Sequence, residues 1–246
     1  MDWTFIGSAI IAGSPAFVII WHALRDYDYP RVEKSLFNFQ TVFFTLIIGF
    51  LFGAVANVLR LSLQSGIDPV WISFLILAGM AILEESFKTV LLNIKRFQLK
   101  FDTTFYGLSL SIGIATAMAF YDNWSTLISV TLDPSILLAL IFLSSGIVSL
   151  HASTGSLIGY GASKGDIFPS LLQAIMYRTV YILILLPFFL APSMEVALVF
   201  VFASFLYGLL LYWRAFKLIL PESVPEDLKK KKVREARRRR LEESER

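Results

Sequence analysis

The stretch VWISFLILAGMAILEESFKTVLL, Val70 to Leu92, decides how this chain folds. Up to Leu83 every residue is apolar or small, and Thr89 to Leu92 is apolar again apart from one hydroxyl. Between them stands Glu84-Glu85-Ser86-Phe87-Lys88. At 1.5 Å per residue, a helix of roughly 20 such residues covers the ~30 Å of a bilayer's hydrocarbon. The segment therefore reads as a membrane helix that carries ionisable side chains into the bilayer.

The rest of the chain repeats the pattern. Of its 246 residues 56 % are hydrophobic and 17 % are charged. The charges gather in a few places, which a soluble domain needing a polar surface would not tolerate. Seven apolar segments are expected, at 3–24, 36–62, 70–92, 103–131, 135–162, 168–190 and 194–219. The expected fold is thus an all-α, polytopic membrane bundle of about seven transmembrane helices, residues 1–220. A charged cytoplasmic tail, 221–246, follows it. Short connections predict that neighbouring helices pack antiparallel. Residues 1–4 are acidic, and no small-residue cleavage site follows the first apolar run, so that run reads as a retained helix rather than a signal peptide. The absence of cysteine excludes disulfides, thiolate metal sites and thiol nucleophiles.

Basic residues predict the orientation. Arg25, Arg31 and Lys34 follow the first segment, Lys95, Arg96 and Lys100 the third, Lys164 the fifth, and Arg214 and Lys217 close the seventh. The other connections hold essentially none. This alternation fits an N-terminus outside and a C-terminus in the cytoplasm of a multi-pass cell-membrane protein. The tail, with Lys229 to Lys232 and Arg237 to Arg240 interleaved with Glu, reads as a solvated end, with anionic lipid headgroups as a further partner. Its acidic residues argue against nucleic acid.

Charges in hydrocarbon are costly and normally mark function. Here they are Glu84, Glu85, Lys88, His151, Arg178 and, depending on where the fourth helix ends, Asp122. Glu84 and Glu85 lie four and three residues before Lys88, on one helix face. Lys88 balances one glutamate, so the second is expected to leave negative charge that needs a proton, a metal or another cation. Glu85 and His151 each lie about 22 Å along an inward-running helix, which places them at matching depth. Ser149, Ala152, Ser153, Gly155, Ser156 and Gly159 around His151 allow close helix approach. His22, at the end of the first helix, receives no role.

Together these residues resemble a family. Glu84-Glu85-x-x-Lys88, then Phe120-Tyr121-Asp122-Asn123, then His151 with Gly155 and Gly159-Tyr160-Gly161, look like the three motifs of the PrsW family of intramembrane proteases. That family is similar to the CAAX prenyl endopeptidases and bacteriocin-processing proteins. The resemblance covers roughly residues 70–165. One position departs: the family's second motif usually ends Glu-Asn, where this chain has Asp122-Asn123. The shorter side chain shifts a ligand or water by about 1 Å.

The resemblance implies an endopeptidase that hydrolyses a peptide bond of a single-pass membrane protein with a glutamate-activated water. Its catalytic set is Glu84, Glu85, Lys88, His151, Asp122 and Asn123. Glu84 or Glu85 is the base, Lys88 holds the carboxylate, and His151 serves the oxyanion or the leaving amine. Asp122 and Asn123 position water or substrate. No cofactor is favoured. Zinc is the alternative, held by Glu85, Asp122 and His151. Rival readings are an ion- or proton-coupled transporter, for which paired repeats are missing, and a catalytically inactive scaffold. A retinal-type receptor lacks its mid-membrane lysine, since Lys217 lies at a helix end.

Overall fold

Local signals set the helix ends. In the computed structural model, which describes residues 3–29, 31–32, 34–64, 70–191 and 193–228, Asp133 caps the longest helix. Its carboxylate accepts from the backbone N–H groups of Ser135 (2.7 Å) and Ile136 (3.0 Å), with Pro134 as first helical residue. The helix ends at Gly165, whose φ of +78° is the left-handed conformation that glycine adopts without strain. The long helices are α1 (Trp3–Leu24), α2 (Phe39–Gln64), α3 (Val70–Leu92), α4 (Thr103–Ser129), α5 (Pro134–Lys164), α6 (Ile167–Leu185) and α7 (Met194–Arg214). A π turn (Ala215–Ile219) and the short α8 (Leu220–Ser223) follow, and no strand occurs among the described residues. The basic runs Lys229 to Lys232 and Arg237 to Arg240 lie outside the described residues.

Six of these segments are long and apolar enough to cross a membrane. α3, which carries Glu84, Glu85 and Lys88, is not among them on its described residues. The exterior is apolar, as lipid requires: Phe17 on α1, Val55 on α2 and Leu210 on α7 are all exposed. The interior, by contrast, is rich in hydroxyls, with Ser109, Ser111, Ser149, Ser153, Thr154 and Ser156 buried. Lipid tails are as apolar as leucine, so such small polar residues, not apolar burial, drive helices together.

α4 is the axis of the bundle and is buried along most of its length. α2 runs parallel to it, pinned at successive levels by Asn38 N–H to Tyr106 Oη (3.1 Å), Thr45 Oγ1 to Ser109 Oγ (2.6 Å) and an Arg60–Asp122 ion pair. Gly49 and Gly53 of α2 face the Leu110 and Ile114 backbone, and Gly113 of α4 faces α2 in return. The Gly49-x-x-x-Gly53 spacing is therefore consumed inside the bundle. α5 crosses α4 in the opposite sense through Gly107, Gly155 and Gly159, and α7 runs parallel to α5, with Ser153 Oγ donating to the Leu211 carbonyl at 3.0 Å.

Chain neighbours are not always packing neighbours. α1 packs chiefly on α4 and α5, through Phe5–Phe120 at one end and, just past its other end, Tyr27–Phe105, and α3 packs more on α6 than on α2 or α4. The expected antiparallel alternation nevertheless holds for direction. The starts of α5 and α7 and the ends of α2, α4 and α6 line one cavity, together with Leu77, Met80 and Glu84 of α3.

The α4–α5 contact yields a paired prediction. A Cβ at Gly155 would strike the Gly107 carbonyl and Ser111, whereas one at Gly79 meets nothing within 4 Å. Gly155→Ala is expected to cost about 1–3 kcal/mol through overpacking. Gly79→Ala should be neutral or gain up to about 1 kcal/mol from helix propensity. Thermal unfolding in detergent reads both, and equal melting temperatures for the two variants would contradict the packing described.

Candidate active site

Four of the six residues expected to be catalytic meet in one buried cluster, joined by Arg178, noted from the sequence only as an intramembrane charge, and by Thr154. Glu84, Glu85 and Lys88 project from α3, His151 and Thr154 from α5, and Arg178 from α6. The first five are fully buried and Arg178 nearly so. Lys88 Nζ donates to Glu85 Oε1 at 2.7 Å and to Thr154 Oγ1 at 3.0 Å. The Thr154 hydroxyl lies 3.3 Å from both Glu85 Oε1 and the His151 carbonyl, so it links α3 to α5. Arg178 Nη2 donates to Glu84 Oε2 at 2.6 Å, and its Nη1 bonds His151 Nε2. Arg178 Nε stands 3.7 Å from Glu85 Oε1, within ion-pair range but too far for a hydrogen bond.

This arrangement corrects the expected charge deficit. Arg178 supplies a second basic side chain, so two carboxylates face two bases. It also narrows the expectation for His151 to one nitrogen. A guanidinium can only donate, so Nε2 must accept and the ring proton sits on Nδ1. His151 Nε2 is thereby occupied and cannot serve as the oxyanion donor.

Four atoms of the cluster have no hydrogen-bond partner: Glu84 Oε1, Glu85 Oε2, His151 Nδ1 and Arg178 Nε. Glu84 and Arg178 also form the floor of a cavity of about 400 Å³. Glu85, Lys88 and His151 do not line it. Its wall is mostly apolar, with Met80, Met118, Leu140 and Leu143. Higher up, Asn123 Nδ2 donates to Ser144 Oγ at 2.9 Å, both side chains being buried.

Asp122 sits apart from the cluster. α4 runs unbroken to Ser129, so Asp122 lies about 28 Å from the start of that helix, toward the cavity mouth. Its half-exposed carboxylate is paired with Arg60 of α2. The alternative zinc set of Glu85, Asp122 and His151 is accordingly not assembled. Among the described residues no three His, Asp or Glu side chains come together as a metal-binding group.

Arg178 and Thr154 carried usable sequence signals. Arg178 is the one charge in the apolar part of α6, about 16 Å from the helix start, while His151 lies about 20 Å from the corresponding end of α5. Thr154 follows His151 by three residues, hence on the same face.

Scans of protein-family models, of curated proteins and of solved structures return no match to this chain.

The cluster should behave as one electrostatic unit. Removing one partner of a buried ion pair costs about 3–5 kcal/mol, because a charge is left uncompensated. Arg178→Met should destabilise by that order, and adding Glu84→Gln should restore part of the loss. Unfolding of the two single variants and the double variant measures the coupling, and additive losses would contradict it.

Proposed function

We propose that this chain is an intramembrane endopeptidase of the PrsW type, hydrolysing a peptide bond of a single-pass membrane protein. The observation that carries this reading is Glu84, the one carboxylate of the buried cluster that lines the cavity while keeping an oxygen unpaired. On this reading seven helices cross the cell membrane, α3 included, with the N-terminus outside and the C-terminus in the cytoplasm. The basic residues at alternate connections support that orientation.

The chemistry follows from the donors and acceptors present. Water reaches Glu84 through the cavity, and Oε1 accepts its proton while the water oxygen attacks the scissile carbonyl carbon. The carbonyl π pair moves onto oxygen. The Arg178 guanidinium has five N–H groups, of which two are committed to Glu84 and His151. The others stabilise the oxyanion beside the attacking water. Collapse of the tetrahedral intermediate breaks the C–N bond, and the proton held by Glu84 passes to the leaving nitrogen. The products are a carboxylic acid and an amine, and the acid's proton passes to the amine to leave a carboxylate and an ammonium group. His151 positions Arg178, while Glu85, Lys88 and Thr154 fix the turn of α3 that presents Glu84. Asn123 and Ser144 offer a donor and an acceptor to a substrate backbone in the upper cavity.

One rival has a specific observation behind it. Every charge of the cluster has an opposite partner, as an inactive scaffold would also require. Activity separates the two. Purified protein reconstituted with single-pass membrane substrates should cleave them, and Glu84→Gln should abolish cleavage. Arg178→Lys is expected to lower kcat by about 10²–10³ with little change in KM, as for loss of an oxyanion donor. Asp122→Asn should retain most activity. A Glu84→Gln variant that cleaves at the wild-type rate rejects the proposal.

A further inference from the structure

Far from the cavity, at the opposite end of the bundle, the first and last membrane helices meet in an aromatic seam. His22 of α1 bonds Tyr212 Oη through Nδ1 (2.7 Å), and its ring lies 4.2 Å from that of Phe216. Two cations flank this contact. The Arg25 guanidinium sits over the Trp21 ring at 4.8 Å, and Lys217 Nζ sits over Trp213 at 4.8 Å and Phe216 at 5.5 Å. His22 lies one helical turn before Arg25 and stacks on Phe216 beside Lys217, so both cations flank one ring, on which the Asp26 carboxylate also acts with the opposite sign. Neither forms an ion pair with a carboxylate among the described residues.

Trp21 and Trp213 are exposed, where amphipathic rings sit at headgroup level. Next to them along the helices lies an apolar surface of exposed Phe17 and Val18 on α1 and Leu210 on α7. Phe216 and Lys217 belong to the π turn Ala215–Ile219, a conformation that is rare and frequently found at functional sites. Two neighbouring cations beside aromatic rings, with apolar helix faces alongside, match a molecule with an anionic phosphate and hydrocarbon chains.

We infer that the α1–α7 seam binds an anionic phospholipid, its phosphate held between Arg25 and Lys217 and its acyl chains laid along Phe17, Val18 and Leu210. The two helices come from opposite ends of the bundle sequence, so the lipid clamps the first span to the last. Its residues are not those of the basic tail, and the site does not depend on the proteolytic reading.

Native mass spectrometry of the full chain in detergent tests the site, with phosphatidylglycerol or phosphatidylcholine added. The wild type should retain phosphatidylglycerol in preference. Arg25→Gln/Lys217→Gln should bind it about 30-fold more weakly, the combined effect of two bases near one phosphate. Arg31→Gln, whose arginine is already paired with Asp26, should bind as wild type does. Retention of phosphatidylglycerol by the double variant at the wild-type level would overturn the assignment, as would equal retention of phosphatidylcholine. Inorganic phosphate that displaces the lipid at matched concentration would assign the cations to a soluble anion instead, which also overturns it. For a readout that needs no substitution, a photoactivatable phosphatidylglycerol should crosslink to the unaltered protein within 17–25 and 210–217. Labelling confined to other peptides counts against the site.

Discussion

The Arg178 guanidinium holds the interior of this protein together. Two adjacent carboxylates in a membrane interior are prohibitive unless each meets a cation with good geometry. Lys88 serves Glu85 from the same helix, but Glu84 depends on a side chain from α6. That dependence helps explain why α3 packs on α6 more than on its chain neighbours. The same guanidinium fixes the tautomer of His151 and forms part of the cavity floor. Helix packing, proton placement and the polarity of the cavity thus all rest on one residue.

The remainder of the bundle makes that placement possible. Without a hydrophobic force between helices in lipid, close approach of backbones and buried hydroxyls must supply cohesion. Glycines of α2, α4 and α5 bring those three backbones close, and α4 becomes a rigid axis. Because α5 is held tightly against α4, His151 and Thr154 are presented at a fixed depth to α3. The polar cluster is therefore anchored on packed helices and not on loops, which suits a site needing sub-ångström positioning.

Much of this was legible in the sequence because membrane helices write their lengths into hydropathy. The seven expected segments lie within a few residues of the observed long helices, and Glu85 and His151 belong to one cluster, in which the carboxylate beside the imidazole is that of Glu84, 3.6 Å away. What escaped is pairing between helices distant in sequence. Arg178 was visible as an intramembrane charge, but nothing local says that its side chain reaches Glu84. The Arg60–Asp122 pair was similarly hidden, since it depends on the parallel register of α2 and α4. Asp122 looked like a member of the site through its motif, yet its carboxylate belongs to the cavity mouth. His22, given no role, joins α1 to α7.

The central claim is that Glu84 activates water for peptide hydrolysis inside the membrane. It is tested most directly by isotope transfer: reconstituted wild-type protein and a single-pass substrate incubated in H₂¹⁸O, with the products read by mass spectrometry. Cleavage that places one ¹⁸O atom in the new C-terminal carboxylate is the result expected. Intact substrate in every case, accompanied by ion or proton flux across the same liposomes, would contradict the account and identify the cluster as a transport relay.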